Sequence, residues 1–287
     1  MEYGDKHILV LGAGASGIGA SWVLAQVGAH VVLNDYKPVT LPADEEKRLV
    51  SAGVDIITGR QDESLLDGVD RIVISPGISL DIPIVKAAQA RGIDVVSEVE
   101  VAYELSKSPI VAVTGTNGKT TTTTLLTKVL EGTGKPVRVG GNIGDSLSEV
   151  AYSMPADGFL VAELSSYQLE TIKHFRPIGA IMLNITPDHL ARHKTMENYI
   201  AAKERIFENQ LSTDFMVLNI DDPVVADMKH RVPSHILEIS QHQVVSNGAY
   251  YDKGQCYVTK NGTATPVIGS ADIHIPGSHN IENILTV

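Results

Sequence analysis

Two stretches of this chain place glycines, hydroxyls and a lysine in an order that suits phosphate chemistry. The stronger is Thr114-Gly115-Thr116-Asn117-Gly118-Lys119-Thr120-Thr121, which follows the apolar run PIVAV and opens a helical segment. Backbone N–H groups at a helix N-terminus face anionic oxygens, a lysine adds a point charge, and a hydroxyl at Thr120 or Thr121 can reach Mg²⁺. Val113 stands where a full Walker loop has its first glycine, so this is the shorter G-x-x-G-K-T form. After a buried strand, this loop reads as a nucleoside-triphosphate site. The other stretch, Gly12-Ala13-Gly14-Ala15-Ser16-Gly17, is a G-x-G-x-x-G turn between a strand and a helix, and Asp35 ends the next strand. That fits NAD or FAD, with the acid on a ribose. A UDP-sugar carries a diphosphate too, and a tight turn without ligand is the remaining reading.

Other candidates have two readings each. Glu163 ends the apolar run GFLVAE, where a carboxylate near a phosphate loop is either a Mg²⁺ ligand or a surface acid. Thr186-Pro187-Asp188-His189 reads as a helix start: Thr as N-cap, Pro at the first helical position and an acid in the first turn, with His189 an ordinary histidine there. Lys203 shares a helical stripe with Tyr199, Ile200, Ile206 and Phe207. It either snorkels to water or is desolvated, and a neutral amine can add CO₂ to give an anionic carbamate. Asn142 in GGNIG and Gly77 in SPGIS are turn residues or close approaches to a ligand.

The elements that must hold these residues alternate along the chain. Strand candidates are HILVL, HVVLN, VDIIT, DRIVIS, PIVAVT, GFLVAE, AIMLNI and DFMVLNI, with helical patterns near 16–28, 43–52, 83–91, 118–131 and 195–209. Such alternation predicts mostly parallel sheets covered by helices, an α/β protein. From about 244 to 275 the pattern becomes short β pieces, with tight hairpin turns expected at Asn247-Gly248, Lys253-Gly254 and Asn261-Gly262. A boundary near 98, after which EVEVAYELSKS leads into the second glycine loop, divides the chain into domains 1–98 and 99–287.

The balance of 43% hydrophobic and 20% charged residues is that of a globular protein, and a net charge of −11 argues against a non-specific grip on nucleic acid. The lone Cys256 allows no intrachain disulfide. Residues 8–34 carry no Asp, Glu, Lys or Arg, but their glycines and β-branched ends read as strand–helix–strand rather than a membrane span. The expectation is a cytoplasmic monomer.

The form TGTNGKTT resembles the Mur ligases and folylpolyglutamate synthetases. GGNIG (140–144), ELSSYQLE (163–170), NITPDH (184–189), YIAAKERIFENQ (199–210) and GSHNIENI (277–284) follow in the Mur ligase order, and the second and fourth of these resemble the D-glutamate-adding branch. The resemblance implies a Rossmann-like N-terminal domain for the UDP group and a P-loop-type central ATPase domain with a small β extension. It implies amide formation through an acyl phosphate, in peptidoglycan precursor synthesis, with ATP, two Mg²⁺ ions, UDP-N-acetylmuramoyl-L-alanine and D-glutamate as participants. Gly14, Ala15, Ser16, Gly17, Asp35, Tyr36, Gly77, Asn142 and His189 would bind the UDP-substrate. Gly115, Thr116, Asn117, Gly118, Lys119, Thr120 and Thr121 would hold ATP, with Asn283 on the adenine and His279 and Asn280 nearby. Thr120, Thr121, Glu163, His189 and a carbamylated Lys203 would hold the metals, and Lys119, His189 and Lys203 would be catalytic. The family also has a third domain beyond this point that closes over ATP and holds the amino acid, so poor turnover by these residues alone is expected. An NAD-linked oxidoreductase and a nucleotide-binding module without turnover are the alternatives.

Overall fold

A computed structural model describes residues 3–287. In chain order the first elements are β1 (His7–Leu11), α1 (Ala15–Gln26), β2 (His30–Asp35), α2 (Ala43–Ser51), β3 (Asp55–Thr58), β4 (Arg71–Ile74), α3 (Pro83–Ala90), β5 (Asp94–Ser97) and α4 (Glu98–Leu105). There follow β6 (Ile110–Thr114), α5 (Lys119–Glu131), β7 (Val137–Gly141), α6 (Leu147–Ser153), β8 (Phe159–Glu163), α7 (Ser166–Leu169), β9 (Gly179–Met182), α8 (Leu190–His193) and α9 (Met196–Glu204). The last are β10 (Phe215–Asn219), α10 (Pro223–Asp227), β11 (His235–Ser240), β12 (Gly248–Asp252), β13 (Gln255–Lys260), β14 (Thr263–Gly269) and α11 (His279–Leu285).

The chain forms two compact units. One runs through α4 to Lys107 and takes back Gly144–Met154 and Tyr167–Phe175; the other comprises Ser108–Ile143, Pro155–Ser166 and Arg176–Val287. The first unit is built on a parallel sheet of order β3-β2-β1-β4-β5. Its central strands read as continuous apolar runs because both faces are covered. Ile8 and Val10 of β1 pack with Ala20 and Leu24 of α1, while Leu9 and Leu11 pack with Ile84, Val85 and Ala88 of α3. Two acids of α4 are buried in this unit, Glu98 at 2% exposure and Glu100 at 0%. Glu100 accepts N–H bonds from Lys173, His174 and Phe175, which pins that returning segment.

The second unit has nine strands in the order β14-β13-β12-β11-β10-β9-β6-β8-β7. Pairing is parallel from β7 to β12 and antiparallel through β13 and β14, the expected small β extension. Leu126 of α5 and Leu285 of α11 pack on Val111, Val113, Val161 and Ile181 of the sheet.

Several local expectations need correction. β5, β7 and β11 were not among the strand candidates: β5 has only Val95 and Val96 between Asp94 and Ser97, and Arg138 in β7 and Glu238 in β11 interrupt the apolar run. Lys253-Gly254 and Asn261-Gly262 are hairpin turns with positive φ at both residues. Asn247-Gly248 is not a hairpin, because β11 and β12 run parallel. The glycine serves close approach instead, since a Cβ at Gly248 would collide with the Glu238 carbonyl. Thr186 is not an N-cap: α8 begins at Leu190, after His189 with φ of 54°. Pro187 disfavours a helical conformation at Thr186, and Thr186 is bonded to the phosphate loop instead. The helix expected over 195–209 ends at Glu204 and tightens into a 3₁₀ turn, Arg205–Phe207.

Candidate functional site

The β6–α5 turn carries the phosphate loop of the second unit, and neighbouring strands stitch it in place. The Thr116 N–H donates to the Asn184 carbonyl (2.9 Å), the Asn117 N–H donates to Asn184 Oδ1 (2.8 Å), and Asn184 Nδ2 returns a bond to the Asn117 carbonyl (3.1 Å). Thr116 Oγ1 accepts the Thr186 N–H (3.0 Å) and lies 3.0 Å from the Tyr199 hydroxyl. Asn184 and Tyr199 were not expected at the site; Tyr199 reads in the sequence as one more member of an apolar stripe. At Gly118, φ of 85° favours glycine, and a Cβ there would lie 2.6 Å from Asn283 Oδ1, so that side chain would have to move.

Residues 116–121, Asn142 and Glu163 line a depression of about 270 Å³. Glu163 is 1% exposed at the C-terminal end of β8. Its Oε2 accepts Thr120 Oγ1 at 3.0 Å and its Oε1 accepts Asn142 Nδ2 at 2.8 Å. One carboxylate and one hydroxyl beside a phosphate loop suit Mg²⁺, which keeps its remaining positions for phosphate and water. Among the described residues no group of three or more His, Cys, Asp or Glu gathers as a metal cage. Thr121 lines the depression, whereas His189 and Lys203 do not. His189 is exposed, with Nε2 3.4 Å from Asp188 Oδ2 and its ring 6.3 Å from that of Tyr199.

The two lysines differ in surroundings. Lys119 Nζ lies back on the Gly115 and Thr116 carbonyls (3.1 and 2.8 Å); burial lowers its pKa, opposed by the charges of Glu163 and Asp188. Lys203 does not snorkel. It is 2% exposed, donates to the Gly115 carbonyl at 2.7 Å and lies 5.0 Å over the Tyr199 ring. Burial, seconded by the charge of Lys119, pushes it down to about 7, against the pull of Asp188. Asn283 is buried too, accepting Thr122 Oγ1 (3.1 Å) and donating to Asn280 Oδ1 (2.9 Å), while Asn280 Nδ2 donates to the Pro276 carbonyl. In this arrangement its amide ties α11 to α5.

In the first unit, Gly14 stands at the N-terminus of α1, where no side chain caps the first N–H groups. Gly14 and Ala15 are exposed, which leaves that helix end open to an anion. Asp35 accepts the Ala13 N–H and the Lys37 N–H, both at 3.0 Å, so its carboxylate braces the glycine loop. Beside it lies a cleft of about 630 Å³ lined by Asp35, Tyr36, Lys37, Gln61, Gly77 and residues of the 78–84 segment. Lys37 and Gln61 were not expected; Gln61 is positioned by a bond to Asn34 Oδ1 at 3.0 Å. Ser16 and Gly17 lie in the first turn of α1, with Gly17 buried and the Ser16 hydroxyl bonded to Glu98. Burial raises the pKa of Glu98, against hydrogen bonds from Ser146, Ser148 and Ser16.

Comparison with known proteins places this geometry. The profile of the Mur ligase middle domain matches residues 113–287, and that of the Mur ligase MurD-like N-terminal domain matches residues 6–97. The UDP-N-acetylmuramoylalanine–D-glutamate ligase of Thermoanaerobacter sp. (strain X514) is 46% identical over 285 residues, which are 99% of this chain and 63% of that protein. The protein of the same name from Halalkalibacterium halodurans is 42% identical over 284 residues, 99% of this chain and 62% of that one. The chain thus spans about three-fifths of the length of these relatives. The crystal structure of UDP-N-acetylmuramate:L-alanyl-gamma-D-glutamyl-meso-diaminopimelate ligase from Neisseria meningitides shares the fold, with a TM-score of 0.65 at 20% identity over 98% of this chain and 91% of that one. With its middle-domain profile matched over more than half of its length, the chain belongs to the Mur ligase family.

Proposed function

We propose that this chain binds ATP and UDP-N-acetylmuramoyl-L-alanine for an acid–amino-acid ligation that adds D-glutamate in peptidoglycan precursor synthesis. The observation that carries the reading is the cluster of Lys119, Thr120, Asn142 and Glu163 around one phosphate-loop depression. The D-glutamate specificity is supported by the names of relatives above 40% identity.

In the first step a carboxylate oxygen of the muramoyl-L-alanine attacks the γ-phosphorus of ATP, the bond to the bridging oxygen breaks, and ADP leaves. In the second, the amine nitrogen of D-glutamate attacks the acyl carbon, phosphate departs with the C–O bond pair, and the nitrogen loses a proton. Phosphoryl transfer of this kind needs mainly alignment and charge neutralisation. The loop N–H groups would orient the phosphates, Lys119 would turn from the loop carbonyls to the terminal phosphate, and Asn142 would steady Glu163. Mg²⁺ held by Glu163 and Thr120, with Thr121 alongside, would neutralise developing phosphate charge. A second ion would draw on His189 and on Lys203 as its carbamate. The burial of Lys203 supports that role, since a neutral amine is the form that takes up CO₂. The Gly14–Gly17 loop, Asp35, Tyr36 and Gly77 would receive the UDP group, and Asn283 would turn toward adenine.

In this reading the protein works in the cytoplasm as a monomer. Among the described residues no helix is long and apolar enough to cross a membrane. Calorimetric titration tests the first-unit assignment. UDP-N-acetylmuramoyl-L-alanine should bind and NADH should not; NADH binding without response to the UDP-sugar would overturn it.

A further inference from the structure

His189 and Tyr199, the latter lying under the Lys203 amine, adjoin a short turn that the reading above does not use. Helix α8 is a single turn, Leu190–His193, and left-handed residues bracket it: His189 with φ of 54° and Lys194 with φ of 72°. Such conformations are uncommon for residues with a Cβ and persist only when the surroundings impose them. One turn of helix does not hold itself. The restraint is therefore tertiary, and its centre is His193, which is 6% exposed.

His193 Nε2 lies 2.9 Å from Ser166 Oγ, itself 1% exposed, three residues beyond Glu163. The His193 carbonyl accepts Asn198 Nδ2 at 2.8 Å, which joins the turn to α9. Its ring packs against Tyr199, centroids 5.3 Å apart. Tyr199 in turn touches His189, reaches Thr116 of the phosphate loop with its hydroxyl, and lies under the Lys203 amine. A shift of His193 would thus be felt at Tyr199, at the left-handed His189 and at the phosphate loop.

We propose that the buried Ser166–His193 contact is a latch holding the 189–194 turn, so that His193 is a positioning residue for His189 and Tyr199 beside the phosphate loop. Its effect on phosphoryl transfer rests on the ligase reading. The placement of His189 does not. A histidine that merely fills the core would affect stability and leave both untouched once the protein is folded.

The test compares His193→Phe, Ser166→Ala and His193→Gln with the unaltered enzyme, following ADP formation from ATP with UDP-N-acetylmuramoyl-L-alanine, D-glutamate and Mg²⁺. The ¹H–¹³C signal of the His189 ring is recorded in parallel. Phe keeps the ring without its nitrogens, Ala removes only the serine oxygen, and Gln can still reach Ser166. His193→Phe and Ser166→Ala should lower kcat by about tenfold or more with KM for ATP changed by less than about threefold, as expected for a misplaced site residue. Both should displace the His189 signal, and His193→Gln should retain most of kcat and the native signal. Should His193→Phe not fold, Ser166→Ala carries the same comparison. An unmoved His189 signal in Ser166→Ala, or His193→Gln as impaired as His193→Phe, would overturn the latch. If the unaltered protein neither binds nor cleaves ATP while the His189 signal moves as expected, the ligase reading fails and the latch stands.

Discussion

Lys203 shows how far a single residue's surroundings can depart from its sequence context. An amine in an apolar helical stripe ordinarily reaches water, but here α9 faces inward and the Gly115 carbonyl and Tyr199 ring receive it. Its folded pKa, near 7, lies below the ordinary value of 10.5. Between those values the folded chain binds fewer protons than the unfolded one, so this group's contribution to stability rises with pH across that window. Below it, both states are protonated and the full cost of burying the charge is present. Lys203→Met should therefore raise the melting temperature relative to the unaltered chain more at pH 6 than at pH 9, in metal-free, CO₂-free buffer. An equal difference at both pH values would contradict the buried-amine account. At this scale loop order announced Lys119, whereas Glu163, readable as a metal ligand or a surface acid, and the choice between Thr120 and Thr121 stayed open in the sequence; the fold sets Glu163 against the Thr120 hydroxyl. The sequence concealed Glu98 and Glu100, which look like the wet face of a helix until the returning segments cover them.

Elements were legible where their period was long and clean. β1 and β6 appear as unbroken apolar runs because both faces of a parallel sheet are covered. β7 and β11 were not legible, since Arg138, His235 and Glu238 break the pattern. The loop after β9 misled for a different reason: Thr-Pro-Asp is a sound helix-start signal, but Thr116 captures Thr186 and the helix begins four residues later. The cap that does operate nearby is Asp222, which accepts the N–H groups of Val224 and Val225 at the start of α10 and that of Ile185. Asp222→Ala should cost about 2 kcal/mol in urea unfolding, combining a lost cap with an unpaired N–H, whereas Asp222→Asn should recover most of it. An Ala variant as stable as the parent would show that the loop after β9 is held by other contacts.

For the molecule as a whole, the sequence predicted two nucleotide-sized sites on two α/β units, and each unit has its glycine loop at the C-terminal edge of a parallel sheet. What the loops could not convey was chemistry. The first fits any diphosphate, and only its cleft with Tyr36, Gln61 and Gly77 gives it a shape. The return of Gly144–Met154 and Tyr167–Phe175 to the first unit was also illegible, because nothing in those segments marks which unit they join. The account turns on the second loop being a nucleoside-triphosphate site, and Lys119 is its most direct probe, as the half-buried first residue of α5 with little packing to lose. Titration of Mg·ATP into the unaltered chain and into Lys119→Ala measures this. Binding should weaken by about tenfold or more, the worth of a charge-assisted contact to phosphate, with a melting temperature changed by less than about 2 °C. Equal ATP affinity in the two proteins would place the triphosphate elsewhere and contradict the account.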